Sequence, residues 1–260
     1  MRKFAYMIFG ALAYLMFFGT ITYAIGFVGG YVVPKDIDDG IEGPIGLALL
    51  INLGLLALFG IQHSVMARPA FKRWWTKIVP KPIERSTYVL LSSAILMLAF
   101  WAWRPIGDVV WQIDNPAAAA AVQVAYFVGW GFVFGSSFII NHFELFGLKQ
   151  VIDHCLEKQP DRPTFVVRYL YRLVRHPLML GFLIVMWSAP VMTLGHLVWA
   201  LGTTAYIFVA LRLEERDLVN ELGDAYRRYQ EAVPMVIPFT KGARIAPPVT
   251  ARRSLRHVSS

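Results

Sequence analysis

The residues with the most chemical potential gather in the last third of the 260-residue chain. Arg175-His176-Pro177 stands directly before an apolar run. Pro177 suits the first position of a helix, where its missing N–H costs nothing. The N–H groups that follow are unsatisfied, so a helix start flanked by Arg175 and His176 is an anion site. Gly181, one turn on, lets something approach the backbone closely. At the far end of the same run stand Glu214 and Glu215, two carboxylates at an apolar border, where burial is costly. Leu218 and Leu222 follow Glu214 at helical spacing, which puts Glu214 at the head of the apolar face. A carboxylate there wants a partner, either Arg175 or a hydroxyl of a ligand. Tyr226 and Tyr229 lie on one face of an amphipathic helix beyond it, followed by Val233-Pro234 and Pro238.

Other chemistries lack their residues. Cys155 is the single cysteine, so no intramolecular disulfide forms. There is no CxxC, no HExxH and no His/Cys pair at zinc spacing, and no metal is expected. GxGxxG and GxxxxGK[ST] are absent too, which removes the common phosphate-cradling loops.

The elements that position these residues are membrane helices. The chain is 57% hydrophobic and only 16% charged, against about 25% charged in a soluble domain. A spanning helix needs about 20 mainly apolar residues. Runs at 4–28, 44–65, 88–103 and 118–140 meet that length. The first follows Met1-Arg2-Lys3 as a signal peptide would, but it is long for one and further spans follow, so it reads as a retained span. A last run, 178–213, is interrupted at Pro190 and at Gly195-His196. It reads as a tight helical hairpin whose arms barely cross, or do not fully cross. The predicted fold is all-α and polytopic: four spans, a C-terminal hairpin and a cytoplasmic amphipathic helix. It forms one domain, with a four-span part at 1–140, a cofactor-binding part at 141–242 and a basic, disordered tail at 243–260.

Charge sets the orientation. Of 25 Lys and Arg residues, only Lys35 and Arg104 fall on one side of the spans. The other side is therefore the cytoplasm, with both termini there. This asymmetry accounts for the net charge of +8 without a nucleic-acid partner. The tail is expected to lie near anionic lipid.

The pattern Tyr171-x-x-x-Arg175-His176-Pro177-x-x-x-Gly181, then Glu214-Glu215-x-x-Leu218-x-x-x-x-Gly223-x-x-Tyr226-x-x-Tyr229-x-x-x-Val233-Pro234-x-x-x-Pro238, resembles the C-terminal half of the isoprenylcysteine carboxyl methyltransferase superfamily. These membrane enzymes use S-adenosylmethionine. The resemblance implies a cofactor pocket lined by Tyr171, Arg175, His176, Leu178, Leu180, Gly181, Glu214 and Glu215. The chain departs from the pattern at Met179, where the family usually has Tyr, at Met235, often Arg, and at Tyr169, where the family has Gly. The first half carries Gln62-His63-Ser64-x-x-Ala67-Arg68-Pro69, Pro82-x-Glu84-Arg85-Ser86-x-Tyr88 and Asn141-His142-x-Glu144-Leu145-Phe146-Gly147-Leu148. These segments are similar to bacterial methanethiol S-methyltransferases and related NnrU-like proteins of the inner membrane. Together the resemblances imply methyl transfer from S-adenosylmethionine to methanethiol, giving dimethyl sulfide, with no protein partner.

That reaction asks specific things of the residues. The cofactor's carboxylate suits the Arg175/His176 helix start, and its ribose hydroxyls suit Glu214. Methanethiol is small and lipid-soluble, so it can arrive through the bilayer. Only a thiolate is a good nucleophile, so a base or a nearby cation is expected. His63, His142, Glu144, Arg68 and Arg85 stand near the cytoplasmic border, with His142 or His63 favoured as the base. One rival is a membrane methyltransferase for another small thiol or an isoprenylcysteine-type acceptor. Another is a membrane haem protein, with His63 and His142 as paired ligands. A small transporter is disfavoured, because the spans apart from the hairpin carry no charged residue at mid-membrane.

Overall fold

The computed structural model describes residues 1–158, 164–240 and 250–252. Among the described residues, five helices are long and apolar enough to cross a membrane. They are α1 (Arg2–Gly29), α2 (Ile45–Ala67), α4 (Lys81–Ala102), α5 (Pro116–Ile140) and α9 (Leu194–Leu222). The protein is an integral membrane protein. Short helices join them: α3 (Pro69–Trp75), α6 (His142–Leu145), α7 (Leu148–Cys155), α8 (Pro177–Trp187) and α10 (Asp224–Ala232). Leu12, Leu15, Phe18, Leu50 and Phe127 lie exposed on the spans, as a lipid-facing surface requires.

Glycines set the closest helix contact. Gly129 of α5 faces Gly181 of α8, and a Cβ on Gly181 would lie 2.7 Å from the Gly129 carbonyl oxygen and 2.8 Å from the Val133 nitrogen. This is the small-residue packing that brings membrane helices together. What approaches the Gly181 backbone is therefore α5.

The end of the bundle that carries Lys35 and Arg104 is closed by polar contacts. The Lys35 ammonium donates to the carbonyls of Trp101 (2.8 Å) and Trp103 (2.7 Å). Asn52 donates to the Arg104 carbonyl and accepts from its N–H, at 2.8 and 2.9 Å. A two-stranded antiparallel sheet lies over the same end, formed by β1 (Val109–Gln112) and β3 (Val191–Thr193). Thr193 donates to Asp38 at 2.6 Å. Burial pushes the Asp38 carboxyl up, and the Thr193 hydroxyl opposes it. At the other, basic end Arg68 pairs with Asp217 at 2.8 Å, and Lys3 pairs with Glu157.

The hairpin is present, but its arms are unequal. The first arm, α8, has 11 residues and reaches about 16 Å, roughly half a membrane core. The second arm, α9, has 29 residues and reaches about 43 Å, so it spans fully and projects beyond. The break lies at 188–193, where Pro190 interrupts the helix and β3 pairs with β1. Gly195-His196 is not a break. It sits in the first turn of α9, capped by the Thr193 hydroxyl, which accepts from the His196 N–H at 3.1 Å. Gly195 is needed there because a Cβ would stand 2.9 Å from the Ile106 nitrogen. The span predicted at 88–103 begins earlier, at Lys81, so Arg85 and Ser86 are helical. Of the predicted tail, 250–252 form β4, which pairs antiparallel with β2 (Thr164–Val166). The rest of it lies outside the described residues.

Candidate active site

A 3-10 turn at Tyr169–Arg172 leads the chain into the start of α8. Tyr169, where the related pattern has Gly, stands at φ 46° in the left-handed region. The N–H groups of Arg175 and His176 then donate to the carbonyls of Pro234 and Met235 at 2.9 and 3.1 Å. Pro177 takes the first helical position, as its fixed φ favours. This pairing holds the start of α8 against the segment after α10.

Arg175 and Glu215 are both buried and bind one another in a two-pronged pair. Arg175 Nε meets Glu215 Oε1 at 2.5 Å, and Nη2 meets Oε2 at 2.9 Å. Arg175 Nη1 donates to the carbonyls of Gln230 and Val233. Glu215 also accepts from His176 at 3.0 Å, Gln230 at 2.9 Å and Tyr226 at 3.4 Å. Four of the five Arg175 N–H groups are thereby engaged. The cluster fastens α8, α9 and α10 together at their basic ends.

The expected place of Glu214 at the head of the apolar face is taken by its neighbour. Glu215, on the face of Leu211, Leu218 and Val219, turns inward, while Glu214 is exposed. A step of one residue moves a side chain about 100° around a helix, enough to separate a buried carboxylate from a wet one. Glu214 is the carboxylate left for a ligand. It acts electrostatically on Tyr88, Tyr171 and Tyr206. The Tyr171 phenol is pushed up, first by burial and then by Glu214.

Tyr88 and Tyr206 also line a cavity of about 310 Å³ inside the bundle. Leu178 and Met179 of the first turn of α8 line it too, together with Arg85, His63 and His142. Leu180 points elsewhere, packing with Ile207, Leu211 and Val236. The walls are mainly aromatic and aliphatic side chains from α1, α4, α5, α8 and α9. The charged and phenolic groups of the lining, Arg85, Tyr88 and Tyr206, sit toward the basic end.

The two histidines differ. His142 Nε2 meets the Tyr14 hydroxyl and Nδ1 meets the Ser137 hydroxyl, both at 2.9 Å. Whichever tautomer it holds, both ring nitrogens are engaged. Burial also pushes its imidazole down, against protonation. The Asn141-His142-x-Glu144 motif is a helix cap: Asn141 accepts from the Glu144 N–H at 3.4 Å and donates to its carboxylate at 2.7 Å. Paired haem ligation does not fit, because His142 has no nitrogen to spare.

His63 Nε2 meets the Tyr88 hydroxyl at 2.7 Å. Its Nδ1 is buried and has no hydrogen-bond partner among the described residues. The Arg85 guanidinium lies 5.0 Å from the centre of the Tyr88 ring, and Arg85 Nε donates to the Leu145 carbonyl at 2.8 Å. Arg85, Tyr88 and His63 thus stand in line along the cavity wall. Tyr14, Ser137 and Tyr206 were not anticipated from sequence. The signal available was a hydroxyl inside an apolar run, as in Ser137 near the end of α5 and Tyr206, which follows Thr203 at three-residue spacing.

The NnrU protein family matches residues 51–237. Methanethiol S-methyltransferase 1 of Bradyrhizobium diazoefficiens is 54% identical over 239 residues, covering 92% of this chain and 84% of its own. Methanethiol S-methyltransferase of Mycobacterium tuberculosis is 51% identical, covering 92% of this chain and 98% of its own. Nurim of Xenopus laevis is more distant, at 28% identity over 79% of each chain. No solved structure matches the chain. With nearly three quarters of its length matched, the chain belongs to the NnrU protein family.

Proposed function

We propose that the protein is a membrane thiol S-methyltransferase that methylates methanethiol to dimethyl sulfide with S-adenosylmethionine as methyl donor. It works in the bacterial inner membrane, with its basic end and both termini in the cytoplasm. The observation that carries this reading is the apolar cavity with His63 Nδ1, which has no partner among the described residues, at its polar end. A small apolar thiol needs a dry chamber, and its proton needs somewhere to go. The methanethiol S-methyltransferases that share about half of its residues agree with it.

The donor suits the groups at the mouth. Glu214, exposed and without an ion pair among the described residues, fits ribose hydroxyls. The N–H groups in the first turn of α8 fit a carboxylate. Leu178 and Met179 of the same helix start line the cavity. Bound at the mouth, the donor supplies an electrophilic methyl on a sulfonium sulfur. His176, Pro177, Gly181 and Glu215 hold the frame of this pocket.

His63 takes the thiol proton on Nδ1 when Nε2 donates to Tyr88. The Arg85 cation favours the thiolate that results. His142 shapes the wall through Tyr14 and Ser137 and keeps its proton fixed.

The test is calorimetric titration of the detergent-purified protein with S-adenosylhomocysteine, followed by headspace analysis after adding methanethiol. Saturable binding with dimethyl sulfide release is the expected result. Glu214→Ala should weaken binding about 10- to 100-fold, the loss of a hydrogen bond to a charged group. Absence of binding in the wild type overturns the reading.

A further inference from the structure

The cavity is much longer than methanethiol requires. Its lining on α4 runs from Arg85 through Tyr88, Val89, Ser92 and Leu96 to Phe100. Fifteen residues of helix rise about 22 Å, so the cavity is a shaft reaching most of the way through the bundle. The stripe on α1 from Phe17 to Val28 gives a second wall of about 16 Å. The floor is formed by Phe100 and Trp199, with Trp103 edge-on to Trp199 at 5.0 Å.

Polarity divides the shaft along its length. His63, Arg85, Tyr88 and Tyr206 stand at the basic end, while Val28, Phe100, Met186 and Trp199 close the deep end. The charged donor cannot occupy the deep part, where its groups would lose water without gaining partners. Methanethiol has two non-hydrogen atoms and leaves most of about 310 Å³ unfilled. A well-packed interior does not keep so large a void without a use.

We propose that the shaft admits unbranched alkanethiols longer than methanethiol as substrates, with sulfur at the His63–Arg85 end and the alkyl chain toward Trp199. This rests on the methyltransferase reading above. In the reaction the thiol gives its proton to His63. The sulfur lone pair forms the new S–CH3 bond while the donor's C–S bond breaks, its electron pair remaining on the departing thioether sulfur. The products are an alkyl methyl sulfide, S-adenosylhomocysteine and one proton released to water.

The experiment measures methylation of methane-, propane-, pentane- and hexanethiol by the full-length protein in detergent, with KM expressed as free aqueous thiol. KM is expected to fall about threefold to fourfold per added methylene until the shaft is full. Two variants plug the shaft away from the reacting end: Ala24→Leu on α1 and Ser93→Leu on α4. Each should cut kcat/KM for hexanethiol at least tenfold and leave methanethiol within twofold. The proposal is overturned if the wild type turns over methanethiol while pentanethiol and hexanethiol are not methylated, whether or not they inhibit. It is also overturned if both plugs fold and leave hexanethiol untouched. Loss of methanethiol turnover in the wild type would overturn the underlying reading instead, and the proposal with it.

Discussion

Two polar clusters stand at the basic end of the bundle, and they differ in how completely they are bonded. In the cluster of Arg175, His176, Glu215 and Gln230, nearly every donor and acceptor has a partner. In the group of His63, Tyr88 and Arg85, one buried nitrogen has none among the described residues. A saturated buried network fastens elements together, while a buried polar atom left open is costly. Arg175, His176 and Glu215, expected from the sequence to line a cofactor pocket, are bonded mainly to one another, and of the two histidines favoured as the base only His63 keeps a ring nitrogen without a partner among the described residues.

The sharpest way to break this contrast is Arg175→Ala. It leaves Glu215 buried without its cation and should cost about 3–5 kcal/mol of stability, measured by thermal unfolding in detergent. A stable variant that merely loses donor affinity would make Arg175 a ligand-binding residue instead. His63→Ala should do the converse. Turnover should fall about 10²- to 10⁴-fold, the range for a lost general base. The melting temperature and S-adenosylhomocysteine affinity should stay close to wild type. If methanethiol turnover survives, the thiol proton leaves by another route.

Gly181→Ala separates packing from binding at the helix start. The added methyl meets the Gly129 carbonyl at 2.7 Å, so the cost should be about 1–3 kcal/mol. Donor affinity in the protein that remains folded should be unchanged. His142 sharpens the comparison through pH. Burial depresses its imidazole in the folded protein from an ordinary value of 6.5. The unfolded chain therefore binds more protons below about pH 6.5, and stability rises with pH through that window before levelling off. His142→Gln should make the slope of melting temperature against pH shallower there, with turnover reduced less than tenfold. Tyr169→Gly carries the smallest effect. It relieves a residue held at φ 46° and should stabilise the protein by about 1 kcal/mol, visible as a higher melting temperature.

The sequence by itself determined that the chain crosses a membrane, and it located four of the five spanning helices to within a few residues at most ends. Long apolar runs and a one-sided distribution of Lys and Arg carry that information locally. It also pointed to the start of α8, because Pro177 and its flanking Arg175 and His176 obey the rules of a helix N-terminus. Only the tertiary structure decided which groups are free. Glu214 and Glu215 differ by one step around a helix, and the packing of α10 and α8 chose Glu215 for burial. Gly181 reads equally well as a ligand contact or a helix contact until Gly129 is seen opposite it. His63 and His142 sit at similar borders, and their difference lies in Tyr88, Tyr14 and Ser137, which come from other helices. Local spacing encodes where a helix runs, but bonding state depends on partners in other helices, most of them distant in sequence, and those are set only when the helices pack.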